Sequence, residues 1–220
     1  ADGREAVLTA KSGLLADPYF SGFKLAWMLE NIDGLRARAE AGALAFGTVD
    51  CWLIWNLTGG KVHATDASNA SRTGLYDIQA GDWSGDLLRL FNVPEALLPQ
   101  VRDTVGSFGE TSLFGSTVPI LGVVGDQQAA LLGQGCVAPG QTKVTYGTGA
   151  FLMSQTGPKA IASSARMLTT VAWRIGGKSS YAMEGAILNA GTAVQWLRDG
   201  LGLFVRADET AAIAASVEDS

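Results

Sequence analysis

The residues Val123-Val124-Gly125-Asp126-Gln127-Gln128 end an apolar run, VPILGVV, on a carboxylate at a glycine turn. Open α/β sheets bind ligands beyond the carboxyl ends of their strands, where turns present side chains and backbone N–H groups to a crevice. An aspartate at such a point can accept the proton of a substrate hydroxyl. It can also cap the helix that follows, by accepting from unpaired N–H groups of the first turn. Position alone leaves both roles open. A second candidate is Tyr146-Gly147-Thr148-Gly149-Ala150-Phe151. Two glycines around a threonine let backbone approach a phosphate, with the hydroxyl and N–H groups as donors. An ordinary tight hairpin uses the same residues. A third is Gly185 with Gly191 and Gln195. Gly191 is expected inside a helix, where glycine costs about 1 kcal/mol relative to alanine, so a close approach by backbone or ligand is the expected compensation.

Other features carry less. Gly135-x4-Gly140-Gln141-Thr142 approaches a P-loop, but Gln141 stands where a lysine would neutralise phosphate. Cys51 and Cys136 lie far apart without metal-ligand spacing, and His63 is the only histidine. No Cys/His metal site is expected, and His63 reads as a satisfied structural side chain.

With 47% hydrophobic and 17% charged residues in 220, the chain can bury a sizeable core, which excludes a disordered class. Its 28 glycines show no collagen period and point to many tight turns. The net charge of −5 and scattered basic residues suggest neither a nucleic-acid nor a membrane surface. No signal peptide is visible and no apolar run reaches the ~18 residues of a membrane helix. A cytoplasmic, reduced protein is expected, and the sequons at Asn56 and Asn69 are read as chance.

The elements that must position these groups follow from periodicity. Residues up to about 110 read as mostly helical. Helices are expected from Phe20 to Asn31, with Phe23, Trp27 and Leu29 close together, from Leu35 to Ala41, over Val49–Leu57 and over Ser84–Phe91. Lys61–Thr65 reads as extended. The continuous apolar run Val118–Val124 predicts a strand covered on both faces. Gln127–Leu132 reads as a helix packed through Ala129, Ala130 and Leu132. Strands are expected at Thr142–Tyr146 and Ala150–Ser154, and a hairpin at Met167–Ile175 and Ser179–Ala186 around Gly176-Gly177. A helix over Ile187–Leu201 would align Leu188, Gly191, Val194 and Leu197. The chain is α/β, with a domain boundary near Gly133–Gly140.

Taken together, DPYFSGFKLAWMLEN, FGTVDCWLIWNLTGG, HATDASNASRTGLYDI, GDQQAALLGQ, TYGTGAF and EGAILNAGTAVQWLRD resemble, in order, segments of the FGGY carbohydrate kinases. The Asp17–Gly22 stretch is closest to members of that family that phosphorylate glycerol. The resemblance runs from about Gly13 to Asp199, and six ordered blocks are far more specific than one glycine motif.

The resemblance implies a ribonuclease-H-like fold of the actin/hexokinase-like ATPase type. Residues 1–134 would be the latter part of the first, substrate domain, and residues 135–220 the start of the second, nucleotide domain. It implies ATP and Mg²⁺ as cofactors and glycerol as acceptor, with Asp126 as general base. Tyr19, Gln127 and Phe151 would accompany Asp126 around the substrate, Phe151 packing on its carbons. Thr148 would meet the ATP phosphates, and Gly191 and Gln195 the nucleotide. No residue of this stretch is expected to ligate the metal. The full-length protein is expected to be a homo-oligomer, a dimer or tetramer. The family's Asp-x-Gly-Thr phosphate segment has no counterpart here, so the segment alone is expected to be inactive. The family's basic fructose-bisphosphate loop is not matched at Thr111–Thr117, which has no Lys or Arg. Two further readings stay open: a related kinase acting on xylulose or gluconate, and a non-catalytic polyol- or nucleotide-binding module of the actin-like superfamily.

Overall fold

The computed structural model describes residues 3–218. Helices α1 (Arg4–Ser12), α2 (Ser21–Asn31), α3 (Leu35–Glu40) and α4 (Val49–Leu57) come first. Strand β1 (Ala64–Asp66) leads into the short α5 (Ala67–Ala70), and β2 (Tyr76–Asp77) and β3 (Asp82–Trp83) form a small hairpin before α6 (Gly85–Phe91). Next come β4 (Gln100–Arg102), β5 (Glu110–Thr111), β6 (Val118–Pro119) and α7 (Asp126–Gly133). Strands β7 (Thr142–Tyr146), β8 (Ala150–Gly157), β9 (Leu168–Ile175) and β10 (Lys178–Ile187) precede α8 (Gly191–Asp199) and α9 (Glu209–Ala215).

The helices form where the pattern requires. In α4, Cys51 and Ile54 are buried three residues apart on one face, and the Thr58 hydroxyl donates back to the Ile54 carbonyl at 2.8 Å where the helix ends. Helix α6 begins at Ser84, whose Oγ accepts from Leu87 N–H, and stops at Asn92 in the left-handed region (φ 51). Leu8, Leu25, Leu29, Leu75, Leu87 and Phe91 close one core between α1, α2 and α6. Phe23 lies edge-on to Phe91 at 4.8 Å, but Trp27 is exposed, because it falls on the outer side of α2 from Leu25 and Leu29.

Two sheets matter for the site. β1 and β4 pair in parallel, Thr65 opposite Val101. β7, β8, β10 and β9 form an antiparallel sheet in that order. The two are not separate bodies: Val101 of β4 packs against the buried cluster of Tyr76, Ile78, Val171 and Tyr181, and just beyond β4 the Thr104 N–H donates to the Arg174 carbonyl of β9 at 2.8 Å.

The structure corrects three expectations. The run 118–124 is not a strand covered on both faces. Only Val118–Pro119 is regular strand, and the rest bonds irregularly along one edge to 104–111, through Ile120 N–H to Gly109 and Val123 N–H to Thr104. Ile120 and Val123 pack on Ile54 and Phe108, while Leu121 is 60% exposed. Helix α7 starts at Asp126 and buries Gln128 and Leu131, leaving Leu132 exposed. Gln128 is accommodated inside because its Nε2 donates to Thr170 Oγ1 at 3.4 Å. Helix α8 begins only at Gly191, Ile187 still belonging to β10, so Gly191 is a first-turn residue and not a helix interior one.

Candidate functional site

Asp126 is the first residue of α7, its carboxylate exposed. Its Oδ1 accepts from the Gln127 N–H at 2.7 Å, within the same turn. The turn is fixed from outside. Gly125 N–H donates to Ser68 Oγ at 2.9 Å, and Ser68 Oγ donates to Asp66 Oδ1 at 2.8 Å. Asp66 is fully buried and also accepts from Asn69 N–H at 2.9 Å, Asn69 Nδ2 at 2.9 Å and Thr104 Oγ1 at 2.7 Å. A Cβ on Gly125 would stand 2.6 Å from Gln128 Oε1, so any side chain there would require the buried Gln128 amide to shift. Asp126 is therefore a carboxylate aimed outward by a buried polar scaffold that ties 66–69, 104 and 125 together.

A second turn joins β7 to β8. The Gly147 carbonyl accepts from Gly191 N–H at 3.0 Å, and the Thr148 carbonyl from Ala190 N–H at 2.8 Å and Thr192 N–H at 3.3 Å. A Cβ on Gly149 would meet the Ile187 carbonyl at 2.6 Å, and one on Gly191 the Gly147 carbonyl at 2.6 Å. The glycines thus admit backbone to backbone, which is the compensation Gly191 needs. Thr148 is exposed at the tip. Gln195, also exposed, lies one helical turn after Gly191 on the same face of α8. Phe151, half-buried in β8, stands opposite Thr145 on β7 and Ala186 on β10.

Lys143 ties the first turn to β7, the strand that leads into the second. It is the second residue of that strand and is 1% exposed. Its ammonium donates to Gln127 Oε1 and to Thr145 Oγ1 at 2.9 Å. Burial lowers its pKa, against the opposing pull of the Glu184 and Asp126 carboxylates. Glu184, 4% exposed, faces Arg72 at 2.8 Å, and the Arg72 guanidinium lies over the Phe20 ring at 5.5 Å. Phe20 in turn is edge-on to Tyr19 at 5.3 Å. Tyr19 itself is 62% exposed, with its N–H on Asp17 Oδ1 at 2.7 Å.

So the structure joins Asp126 and Gln127 in one turn, and Thr148 with Gly191 in another. It leaves Tyr19 on the surface, reached only through Phe20, Arg72 and Glu184. Ser68, Lys143, Arg72 and Glu184 were not singled out from sequence. For Lys143 a signal existed: alternation along TKVTY puts residues 143 and 145 on one face and Val144 on the other.

The weaker features settle as structure. Gln141 Oε1 accepts from the Val137 and Ala138 N–H groups at 2.8 and 2.7 Å, so the P-loop-like turn turns its amides inward to its own side chain. His63 Nε2 donates to the Phe46 carbonyl at 2.7 Å. Both cysteines are free and buried, and burial, with Asp50 nearby, pushes the Cys51 thiol up to about 11. Among the described residues no group of three or more His, Cys, Asp or Glu could hold a metal ion. A cavity of about 520 Å³ opens between α1 and residues 160–169, and contains none of the site residues.

The N-terminal domain of the FGGY family of carbohydrate kinases matches residues 1–133. The chain belongs to the FGGY family of carbohydrate kinases. Within that class it is 58% identical to a glycerol kinase of Rhodospirillum centenum and 58% identical to one of Methylobacterium nodulans, over 100% and 96% of its length. It spans only 45% and 43% of those relatives. A crystal structure of Plasmodium falciparum glycerol kinase with ADP superimposes with a TM-score of 0.89 at 34% identity, over 97% of this chain and 43% of that one. A xylulose kinase from Rhodospirillum rubrum, with a TM-score of 0.80 at 22% identity over 99% of this chain and 44% of that one, shares the fold. The architecture is that of the ribonuclease-H-like, actin/hexokinase-like ATPases, in part.

Proposed function

We propose that the protein carrying this chain transfers the γ-phosphate of ATP to glycerol, giving glycerol 3-phosphate, with Asp126 as general base. The observation that carries the reading is the Gly125–Asp126 turn: a buried scaffold holds the backbone while the carboxylate stays open to an incoming hydroxyl. Phosphoryl transfer depends on positioning and charge neutralisation more than on covalent chemistry. Asp126 orients the acceptor hydroxyl and takes its proton. Phe151 offers an apolar wall, and Tyr19 and Gln127 offer polar contacts. The exposed Thr148 hydroxyl faces phosphate oxygens, and Gly191 and Gln195 flank the nucleotide. ATP supplies the transferred group, and Mg²⁺, when bound, would neutralise charge on its phosphates. Among the described residues no group of three or more His, Cys, Asp or Glu could hold a metal, so the site fits a metal carried on phosphates and waters better than one held by a protein cage.

The relatives' names support glycerol over xylulose or gluconate, since the 58% matches are glycerol kinases and the xylulose kinase match is at 22%. A passive binding module would have no use for a carboxylate held open by such a scaffold. The division at 134/135 is supported by the family match ending at residue 133. Among the described residues no helix is long and apolar enough to cross a membrane. Both cysteines are free and buried, which supports a cytoplasmic location. A homo-oligomer, dimer or tetramer, is the proposed state of the full-length protein. The segment alone is inactive in this reading, because it spans 45% of its relatives' length.

The test is Asp126→Asn in the full-length protein. Glycerol phosphorylation should fall by about 10²–10⁴-fold while nucleotide binding persists. Unchanged turnover, or phosphorylation of xylulose but not glycerol by the unaltered protein, would sink the assignment.

A further inference from the structure

Lys143 is a buried cation whose charge must be compensated, and the mechanism above does not use it. Lysine has three N–H donors and no acceptor. The atom of Gln127 that meets it is therefore the amide oxygen, Oε1, on chemical grounds alone. With Oε1 taken, the end of Gln127 left for a ligand is the Nε2 donor. Thr145 Oγ1, at 2.9 Å from the same ammonium, fixes where Lys143 points. Asp126, next to Gln127 in the first turn of α7, is a pure acceptor when ionised.

We propose that Lys143 is a positioning residue: it locks the Gln127 amide so that Nε2 donates to the acceptor hydroxyl whose proton Asp126 receives. A donor and an acceptor side by side read a hydroxyl, which both accepts and donates, and reject a carbonyl, which cannot donate. The lysine also spans the proposed domain division, from β7 to α7. It therefore fixes the hydroxyl-reading pair relative to the strand that ends at Tyr146 and the Thr148 turn. This inference rests on the reading of Asp126 as general base.

Steady-state kinetics of the full-length enzyme with glycerol and ATP test it. Lys143→Met keeps the length of the side chain but removes the donors. It should raise the KM for glycerol about 10-fold, the scale of one misdirected hydrogen bond, with the KM for ATP changed less than about 2-fold. Gln127→Glu keeps a partner for Lys143 but deletes the Nε2 donor; it should raise the glycerol KM as much while the melting temperature holds or rises. Combining Lys143→Met with Gln127→Ala should cost no more than Gln127→Ala alone. An unchanged glycerol KM in either single variant overturns the proposal, as does an equal rise in both KM values. If Lys143→Met does not fold, Gln127→Glu carries the test with the same criteria. Asp126→Asn, measured in parallel, keeps the two ideas apart. Retained turnover there refutes the base, whereas a lost turnover with a normal glycerol KM in Lys143→Met refutes only the positioning role.

Discussion

The two turns that carry the candidate chemistry are held in different ways. The Gly125–Asp126 turn hangs from side chains: Ser68 Oγ, and behind it the buried Asp66 with Asn69 and Thr104. The Gly147–Thr148–Gly149 turn is held mainly by backbone, its carbonyls receiving the Ala190, Gly191 and Thr192 amides, with one side chain, the Thr192 hydroxyl, added on the Thr148 carbonyl at 3.2 Å. The difference has a physical logic. A proton acceptor must be aimed to within a hydrogen-bond length, and a polar scaffold from several segments over-determines its place. The turn proposed to face phosphate needs its backbone close to other backbone, and absence of side chains is what permits that. The first turn should therefore break when a distant side chain is altered, and the second when a methyl group is added to a glycine.

The largest effect is expected for Asp66→Ala. It strands the Ser68 and Asn69 N–H groups and the Thr104 hydroxyl in a fully buried place. Stability should fall by about 3–5 kcal/mol, read from urea unfolding, because several buried donors lose one acceptor at once. A loss below about 1 kcal/mol would mean that the scaffold does not hold the turn.

How far this contrast was legible in the sequence depends on range. Helix α4 is legible at its observed ends, Val49–Leu57, because the Thr58-Gly59-Gly60 turn that stops it is a local signal. The hairpins of β7 to β10 were legible for the same reason, the glycines at 147, 149, 176 and 177 marking the turns. The run 118–124 misled, since a continuous apolar stretch records hydrophobicity and not how many neighbours cover it. Gly191 was legible as a glycine needing compensation, but its place at the start of α8 came from the carbonyls of residues 147 and 148, far off in sequence. The ion pair of Arg72 and Glu184, 112 residues apart, and the reach of Lys143 to Gln127 are tertiary facts that no local pattern encodes.

The backbone-held turn is tested by Gly149→Ala. A methyl group 2.6 Å from the Ile187 carbonyl and 3.2 Å from that of Leu188 forces backbone apart. We expect about 3 kcal/mol of destabilisation, at the upper end for overpacking, and a raised KM for ATP if Thr148 meets its phosphates. Full stability would show that the turn yields more easily than its close contacts imply.

Ser68→Ala should have a smaller effect than Asp66→Ala, because only the Gly125 N–H loses its acceptor and one donor to Asp66 is removed. About 1–2 kcal/mol is expected from thermal unfolding. The turnover should fall more than this stability loss implies, since Asp126, the proposed base, loses its aim. If turnover at saturating glycerol is unchanged, the scaffold stabilises the fold without directing Asp126.

The smallest effect separates the turns by pH. Asp103 adjoins Thr104 of the scaffold and clasps the β9–β10 turn. Burial pushes its pKa up, but the Gly177 N–H at 2.8 Å and the Arg174 guanidinium at 2.6 Å more than offset this, holding the carboxyl below its ordinary value. A depressed folded-state pKa means that the ionised form is favoured in the native protein. Its stabilisation is present above the unfolded-state value of about 3.9 and fades as pH falls through the lower native value. The clasp is partly exposed, so its whole contribution should stay near or below about 1 kcal/mol. Acid should then loosen the side-chain-held turn first. Neither acceptor titrates itself, but the Ser68 hydroxyl that holds the Gly125 amide belongs to the scaffold that Asp103 adjoins at Thr104. Hydrogen exchange, corrected for intrinsic rates, should therefore show protection of the Gly125 amide declining below about pH 4 before that of the Gly191 amide, held by the Gly147 carbonyl. Asp103→Asn should flatten that decline. Equal losses at both amides in the unaltered protein would mean that the two turns open as one unit, and that the distinction between side-chain and backbone support has no energetic content.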